Sequence, residues 1–178
     1  MNIDEIFHRF YKDNPKLLST VTTHSRCVAV KALGCLRAHG LSADLQFVEE
    51  AAMLHDIGVV ECDAPSIYCH GSLPYICHGV AGRKMLDELG LPRHALVCER
   101  HTGSGLSVAD IIRQELPLPH RDMLPVTIEE NAICYADKFF SKSGELTKEK
   151  PLDKVMRQMA DHGEDSLDRF MALHNLFG

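Results

Sequence analysis

Met53-Leu54-His55-Asp56-Ile57-Gly58 sets an imidazole beside a carboxylate at the end of an apolar helical run. Both groups are good ligands for a divalent metal, one through nitrogen and one through oxygen. Neighbours on a helix point roughly 100° apart. They share one ion only if the helix is ending there, and Gly58 reads as that end. Upstream, Ser42 reads as the helix cap. Phe47, Val48, Ala51, Leu54 and His55 then follow a three–four spacing, which turns His55 toward the core.

Working outward, the same helical period recurs along the chain. Ile3, Ile6, Phe7 and Phe10 predict a short amphipathic helix over 2–12. Asn14-Pro15 predicts a cap and a first helical residue, with an apolar stripe of Leu17, Val21, Val28, Ala32 and Leu36 that Gly40 closes. Residues 59–74, with Gly71, Pro65 and Pro74, predict a functional loop. A helix from Tyr75 to Leu89 carries His78 in its first turn, and the next, from Pro92, leads through Ala95, Leu96 and Cys98 to His101. Val108–Gln114 is short and helical, and 115–126 is a second loop stiffened by Pro117, Pro119 and Pro125. Thr127 and Glu130 form a capping-box pattern before a helix that sets Ile133, Ala136, Asp137 and Phe140 on one side. After the polar stretch 141–150, Pro151 opens a helix with Leu152, Val155, Met156 and Met159. The last helix uses Leu167, Phe170, Met171, His174 and Phe177. No β alternation, internal repeat or low-complexity linker breaks the pattern. The expectation is an all-α single domain over 1–178 with eight or so helices. Its motif-bearing core spans about 20–142, and helices over 151–177 pack on it.

Composition narrows the function. At 178 residues and 45 % hydrophobic content the chain can bury a proper core. A net charge of −6 without a Lys/Arg stripe argues against duplex nucleic acid as a partner. No apolar run approaches a membrane span, and the N-terminus lacks the basic start and apolar stretch of a signal peptide. Seven scattered cysteines, none spaced Cys-x-x-Cys, fit free thiols in a reducing cytoplasm better than a disulfide framework or zinc ribbon. Oligomeric state is not readable.

Two more ionisable residues fall on core-facing stripes, where a lone charge is costly. His24 lies between Val21 and Val28, and Asp137 between Ile133 and Phe140. With His55 and Asp56 they give two imidazoles and two carboxylates from three helices, a set suited to a divalent metal with positions open for water and substrate.

This order, His24, His55-Asp56 and Asp137, resembles the HD-domain superfamily, named for a His…His-Asp…Asp metal-binding pattern on a helical core. Ile57-Gly58 completes the His-Asp-Ile-Gly form of the motif, and Asp137 sits within Tyr135-Ala136-Asp137-Lys138. The resemblance implies a helical bundle with the metal site between core helices. In many HD domains two further histidines allow a second metal, and His78 and His101 occupy such positions. The implied site is then dinuclear, held by His24, His55, Asp56, His78, His101 and Asp137, with Asp56 bridging. The plain alternative is that His78 caps a helix start and His101 merely ends one. His70 is an alternative ligand to His78, or a substrate contact. His8, His39, His94, His162 and His174 read as solvated or locally bonded.

The resemblance implies a metal-dependent phosphohydrolase that cleaves a phosphate ester or anhydride of a small molecule or nucleotide by metal-activated hydroxide. Asp56, His78, His101 and Lys138 would carry the catalysis, and Fe, Mn, Co, Ni, Zn or Mg would serve as the ion. Arg83, Arg100, Lys138 and Lys142, and His70, are the candidates for holding phosphate oxygens. Solvated surface charge is the plain reading of each basic residue taken alone. The Gly103-Ser104-Gly105 turn could offer backbone N–H groups to an anion, and His120 and Arg121 could line a substrate mouth. Position 59 is Val59 rather than lysine, and no Gly-Tyr-Pro follows, which disfavours the cyclic di-GMP-cleaving branch. The chain is more similar to small stand-alone HD proteins, including a group that hydrolyses dinucleoside tetraphosphates. Two other classes remain open: a mixed-valent di-iron oxygenase with the same ligands, and a non-catalytic module that binds a nucleotide and signals.

Overall fold

Helix α2 (Pro15–Ala38) is the spine of the protein. Asn14 caps it by accepting the Leu17 N–H at 3.1 Å, and Pro15 supplies the preset φ of a first helical residue. Its buried face is the stripe Leu17, Val21, His24, Val28, Ala32 and Leu36. The computed structural model describes residues 2–178, so Met1 of the N-terminal reading lies outside it. Among the described residues there are nine α-helices and one small hairpin, an all-α fold.

Helices α3 (Leu45–Leu54) and α7 (Ile128–Asp137) pack on that face of α2. Helix α1 (Ile3–Tyr11) lies across its start, and the Tyr11 hydroxyl donates to the Ile57 carbonyl at 2.8 Å, pinning the turn after the His-Asp pair. Helices α4 (His78–Glu88) and α5 (Pro92–Arg100) form an antiparallel pair against that turn. Helix α6 (Val108–Arg113) is short; α8 (Leu152–Asp161) and α9 (Glu164–Phe177) pack together, and α9 lies on α7. The apolar interior divides in two. Val28, Ala136 and Phe170 belong to one part, while Val21, Leu54, Ile57 and Cys98 belong to the other. His24 and Leu54-His55-Asp56 lie where the two meet, so the polar residues of the motif fill the seam between apolar layers.

Several local expectations change. Asp44, not Ser42, caps α3: its carboxylate accepts the Phe47 N–H at 3.0 Å, and its own N–H is taken by Glu129. Residues 59–74 are not simply loop. After a 3-10 turn over Ile57–Glu61, β1 (Asp63–Ala64) pairs antiparallel with β2 (Cys69–His70). Val97 rather than Leu96 is buried in α5. Thr127 accepts the Glu130 N–H as expected, but the Glu130 side chain does not return the bond; it binds Arg100 and the Val126 N–H. Gly58 has no positive φ, so it does not end α3 by left-handed geometry. It is required because α4 crosses so closely that a Cβ there would meet backbone atoms of His78 and Gly82. Ser107 and Asp110 form a full capping box on α6.

Candidate metal centre

Six side chains from five elements converge in the seam. His24 comes from mid-α2, His55 and Asp56 from the end of α3, His78 from the start of α4, His101 from the end of α5 and Asp137 from the last residue of α7. Each is at most 7 % exposed. Two groups of potential ligands form, each with its atoms within 4.8 Å of one another: His24, His55, Asp56 and Asp137; and Asp56, His78 and His101. Asp56 belongs to both. Its Oδ2 lies 3.3 Å from His24 Nε2 and 3.1 Å from His55 Nε2, and its Oδ1 lies 3.5 Å from His78 Nε2 and 3.4 Å from His101 Nε2.

The backbone fixes which nitrogen each imidazole presents. Nδ1 of His55, His78 and His101 faces the carbonyl three residues earlier, Ala52 at 2.6 Å, Tyr75 at 2.7 Å and Cys98 at 2.8 Å. A carbonyl can only accept, so Nδ1 carries a proton, and whenever the ring is neutral Nε2 turns a lone pair inward. His78 Nε2 and His101 Nε2 are then two lone pairs 3.1 Å apart. Burial and the facing His101 ring push His78 down to about 3, so no proton stands between them at neutral pH. His55 Nε2 and both Asp56 oxygens are buried without a sound hydrogen bond. Buried lone pairs facing one another are costly unless a cation lies between them. The donor set therefore fits divalent metal: borderline nitrogen and hard oxygen.

Charge inside the site is strongly coupled. Burial works against ionisation of Asp56, but His55 and Lys142 outweigh it and hold its carboxyl well below the usual range. Asp137 behaves alike, its burial outweighed by Lys138 and Lys142. Burial pulls His55 down, yet Asp56 and Asp137 raise it to about 9, while burial and Lys142 push His24 down to about 4. Each histidine titrates as a member of the group, not alone.

A cleft of about 400 Å³ opens over Asp137 and is lined by Lys138, Lys142, Lys150 and the Gln158–His162 end of α8. A neighbouring cavity of about 420 Å³ shares Phe140, Lys142 and Lys150 and extends past Tyr75 and Ser141. Lys142 Nζ lies 2.7 Å from Asp56 Oδ2. Lys138 Nζ lies 2.6 Å from Asp137 Oδ2 and donates to the His101 carbonyl at 3.0 Å. The other expected substrate contacts are elsewhere. His70 is exposed on β2 and lines neither cavity. Arg83 pairs with buried Glu99, which also holds Arg121, and Arg100 binds both oxygens of buried Glu130. Ser104 donates to the Ser166 carbonyl at 2.7 Å, so the Gly-Ser-Gly turn is engaged with α9; His120 is exposed and lines neither cavity. Three residues at the cleft were not anticipated. Lys150 closes the polar stretch 141–150, whose return path no periodicity reveals. His162 ends α8 on the cleft side. Tyr75 stacks on the His78 ring with centroids 4.8 Å apart; an aromatic residue three positions before a candidate ligand histidine was the available signal.

An all-α bundle with two buried imidazole–carboxylate groups joined at one aspartate defines a class of protein suited to hold a divalent metal. The HD domain family matches residues 21–141, and the chain belongs to that family. An uncharacterised protein of Methanocaldococcus jannaschii is 32 % identical over 149 residues, 80 % of this chain and 78 % of that one. Two proteins named tRNA (cytidine(56)-2'-O)-methyltransferase are also similar. The Thermoplasma volcanium protein is 29 % identical across 82 % of this chain and the Picrophilus torridus protein 30 % across 71 %, but the matches span only 39 % and 32 % of those proteins. No solved structure matches the chain significantly. HD domains are typically metal-dependent hydrolases, and the buried His/Asp groups are suited to hold a metal. No helix among the described residues is long and apolar enough to cross a membrane.

Proposed function

We propose that this protein is a metal-dependent phosphohydrolase that cleaves a phosphate ester or anhydride of a small molecule or nucleotide. One observation carries the reading: two groups of potential ligands share buried Asp56, and Asp137 of the first group opens on a cleft walled by Lys138, Lys142 and Lys150. Divalent ions, when bound by His24, His55, Asp56, His78, His101 and Asp137, supply Lewis acidity toward phosphoryl oxygen and activate water for attack at neutral pH. The protein's own part is to position and to neutralise. Asp56 ties the two groups into one centre. Lys138 keeps Asp137 ionised and aimed by bonding it from behind. Lys142 and Lys150 offer N–H donors to phosphate oxygens from the open side, where charge-assisted bonds are strongest. The methyltransferase name stays with the two longer relatives, because the match covers the smaller part of each. All seven cysteines are free, which supports a reducing, cytoplasmic setting.

The test is elemental analysis with a panel of phosphate esters and nucleotides under Mn²⁺, Fe²⁺, Co²⁺ and Ni²⁺. Asp137→Ala is expected to lose metal from the first group and at least about a hundredfold in turnover, since even outer partners of a metal site carry that much. Full metal content and turnover in this variant would refute the reading. So would iron-dependent O₂ uptake with no ester hydrolysed.

A further inference from the structure

Between the turn at Thr102 and Gly103, α6 and α9 lies a separate cavity of about 220 Å³. Gly103 and His162 line both it and the cleft over Asp137, so the two spaces are neighbours. Two of its wall residues locate it further. Ile76 stands two residues before His78, and Thr102 follows His101 directly. The cavity meets the candidate centre across the Gly103–His162 wall that it shares with the cleft over Asp137. Gly103 has a φ of +59°, and a Cβ built on it meets nothing within 4 Å, so the backbone leaves that side open.

The walls combine three apolar side chains with the polar side chains of Thr102, Gln114, His162 and Ser166 and with one guanidinium paired to Asp110. Ile76, Leu106 and Leu116 supply the carbon surface and pack on the small apolar cluster around Ile111. Arg169 supplies the charge. Its Nη2 donates to Asp110 Oδ2 at 2.6 Å and to the Gly105 carbonyl at 3.2 Å, while Nε has no partner. Asp110 is 1 % exposed and is itself held by Ser107 and Arg113, so the guanidinium has little freedom to swing away. Oily walls alone would accept an alkyl chain. A planar cation set among them favours a π face, on which Arg stacks well. No lysine lines this cavity, so a second phosphate has no counter-charge other than an arginine already paired. Size agrees: an apolar cavity of about 150 Å³ takes a benzene ring, so 220 Å³ takes one ring system.

We propose that this cavity binds a planar aromatic or heteroaromatic ring carried by the phosphorylated substrate, and so selects ring-bearing phosphates over bare sugar phosphates. The proposal rests on the phosphohydrolase reading for the position of the phosphate. The experiment is calorimetric titration of the manganese-loaded protein with adenosine 5'-monophosphate and with ribose 5-phosphate, with hydrolysis of both followed in parallel. The nucleotide is expected to bind at least about tenfold more tightly. Leu116→Trp, which fills the cavity, is expected to abolish that margin and leave ribose 5-phosphate binding unchanged. Equal affinities in the native protein, or a folded Leu116→Trp protein that keeps the margin, would overturn the proposal. If Leu116→Trp lowers the melting temperature too far to titrate, Ile76→Phe fills the same space from the α4 side and is judged by the same outcomes. Binding with the expected margin but no hydrolysis of these compounds or of any ester or anhydride in the wider panel counts against the phosphohydrolase reading and in favour of the ring site.

Discussion

Gly58→Ala is the most demanding test of how the fold holds the centre. A Cβ on Gly58 would lie 2.2 Å from both the Gly82 amide nitrogen and the His78 carbonyl oxygen, and 2.8 Å from the Gly82 Cα. All three are backbone atoms of α4, so no rotamer change relieves the clash. Ordinary contact begins at 3.4 Å, so α4 must move by about 1.2 Å relative to the turn. Overpacking a tight interior costs roughly 1–3 kcal/mol, and a clash with rigid backbone belongs at the upper end. For a chain of this size each kcal/mol lowers the melting temperature by about 2–4 °C, so a fall of about 6–12 °C is expected. The displaced helix begins at His78, whose Nε2 stands 3.1 Å from His101 Nε2 and 3.5 Å from Asp56 Oδ1. The second ligand group therefore loosens while His24, His55 and Asp137, which come from α2, α3 and α7, keep their places. Scanning calorimetry and metal counting after manganese loading should show lower stability together with selective loss of the second ion. An unchanged melting temperature with unchanged metal content would refute the argument from close packing.

Two further outcomes follow from buried carboxylates. Burial would raise the Asp110 pKa, but donors from Ser107 and Arg169 overcome it and lower it below its ordinary value. The unfolded chain thus binds more protons at acidic pH, and the stabilisation is complete above the unfolded value near 3.9 and lost as pH falls through the folded one. Asp110→Asn should cost about 2 kcal/mol at pH 7, and in urea melts the gap to the native protein should shrink below about pH 4; a pH-independent gap would contradict the assignment. Arg83→Met leaves Glu99 held by Arg121 alone, so a loss of about 1–2 kcal/mol is expected, with kcat/KM on any phosphate substrate unchanged. A selective rise in KM would restore Arg83 as a substrate contact.

The core and the first ligand group were legible because they break a rule visible in one dimension. His24, His55 and Asp137 are polar residues at the phase of a buried stripe, and burial of a charge needs a partner. What escaped depended on the third dimension. Ser42 and Asp44 are equally good capping residues; Glu129, far along the chain, selects Asp44 by taking its N–H. Glu130 completes a capping box in sequence, but Arg100 and Val126 offer it charge-assisted bonds that Thr127 does not. Arg83 follows His78 closely along the chain, yet five residues at 100° each turn it about 140° from the ligand's face, toward Glu99. Nearness in sequence to a candidate ligand does not by itself bring a side chain to the cleft. Lys150, twelve residues beyond Lys138, illustrates the converse: it returns to donate to the Lys138 carbonyl at 2.9 Å.

The carbonyls of Ala52, Tyr75 and Cys98 orient three of the imidazoles, and every amino acid has a carbonyl. Evolution can therefore rewrite these three positions without touching the tautomers they enforce, provided the local helical turn survives. The outer shell of this centre is inherited through chain geometry, and a comparison of homologous side chains would show drift at the places where the protein exerts its firmest control. Tyr75 is the exception among the three, because its ring also stacks on His78. Variation there would change the setting of the imidazole while leaving its proton where it is.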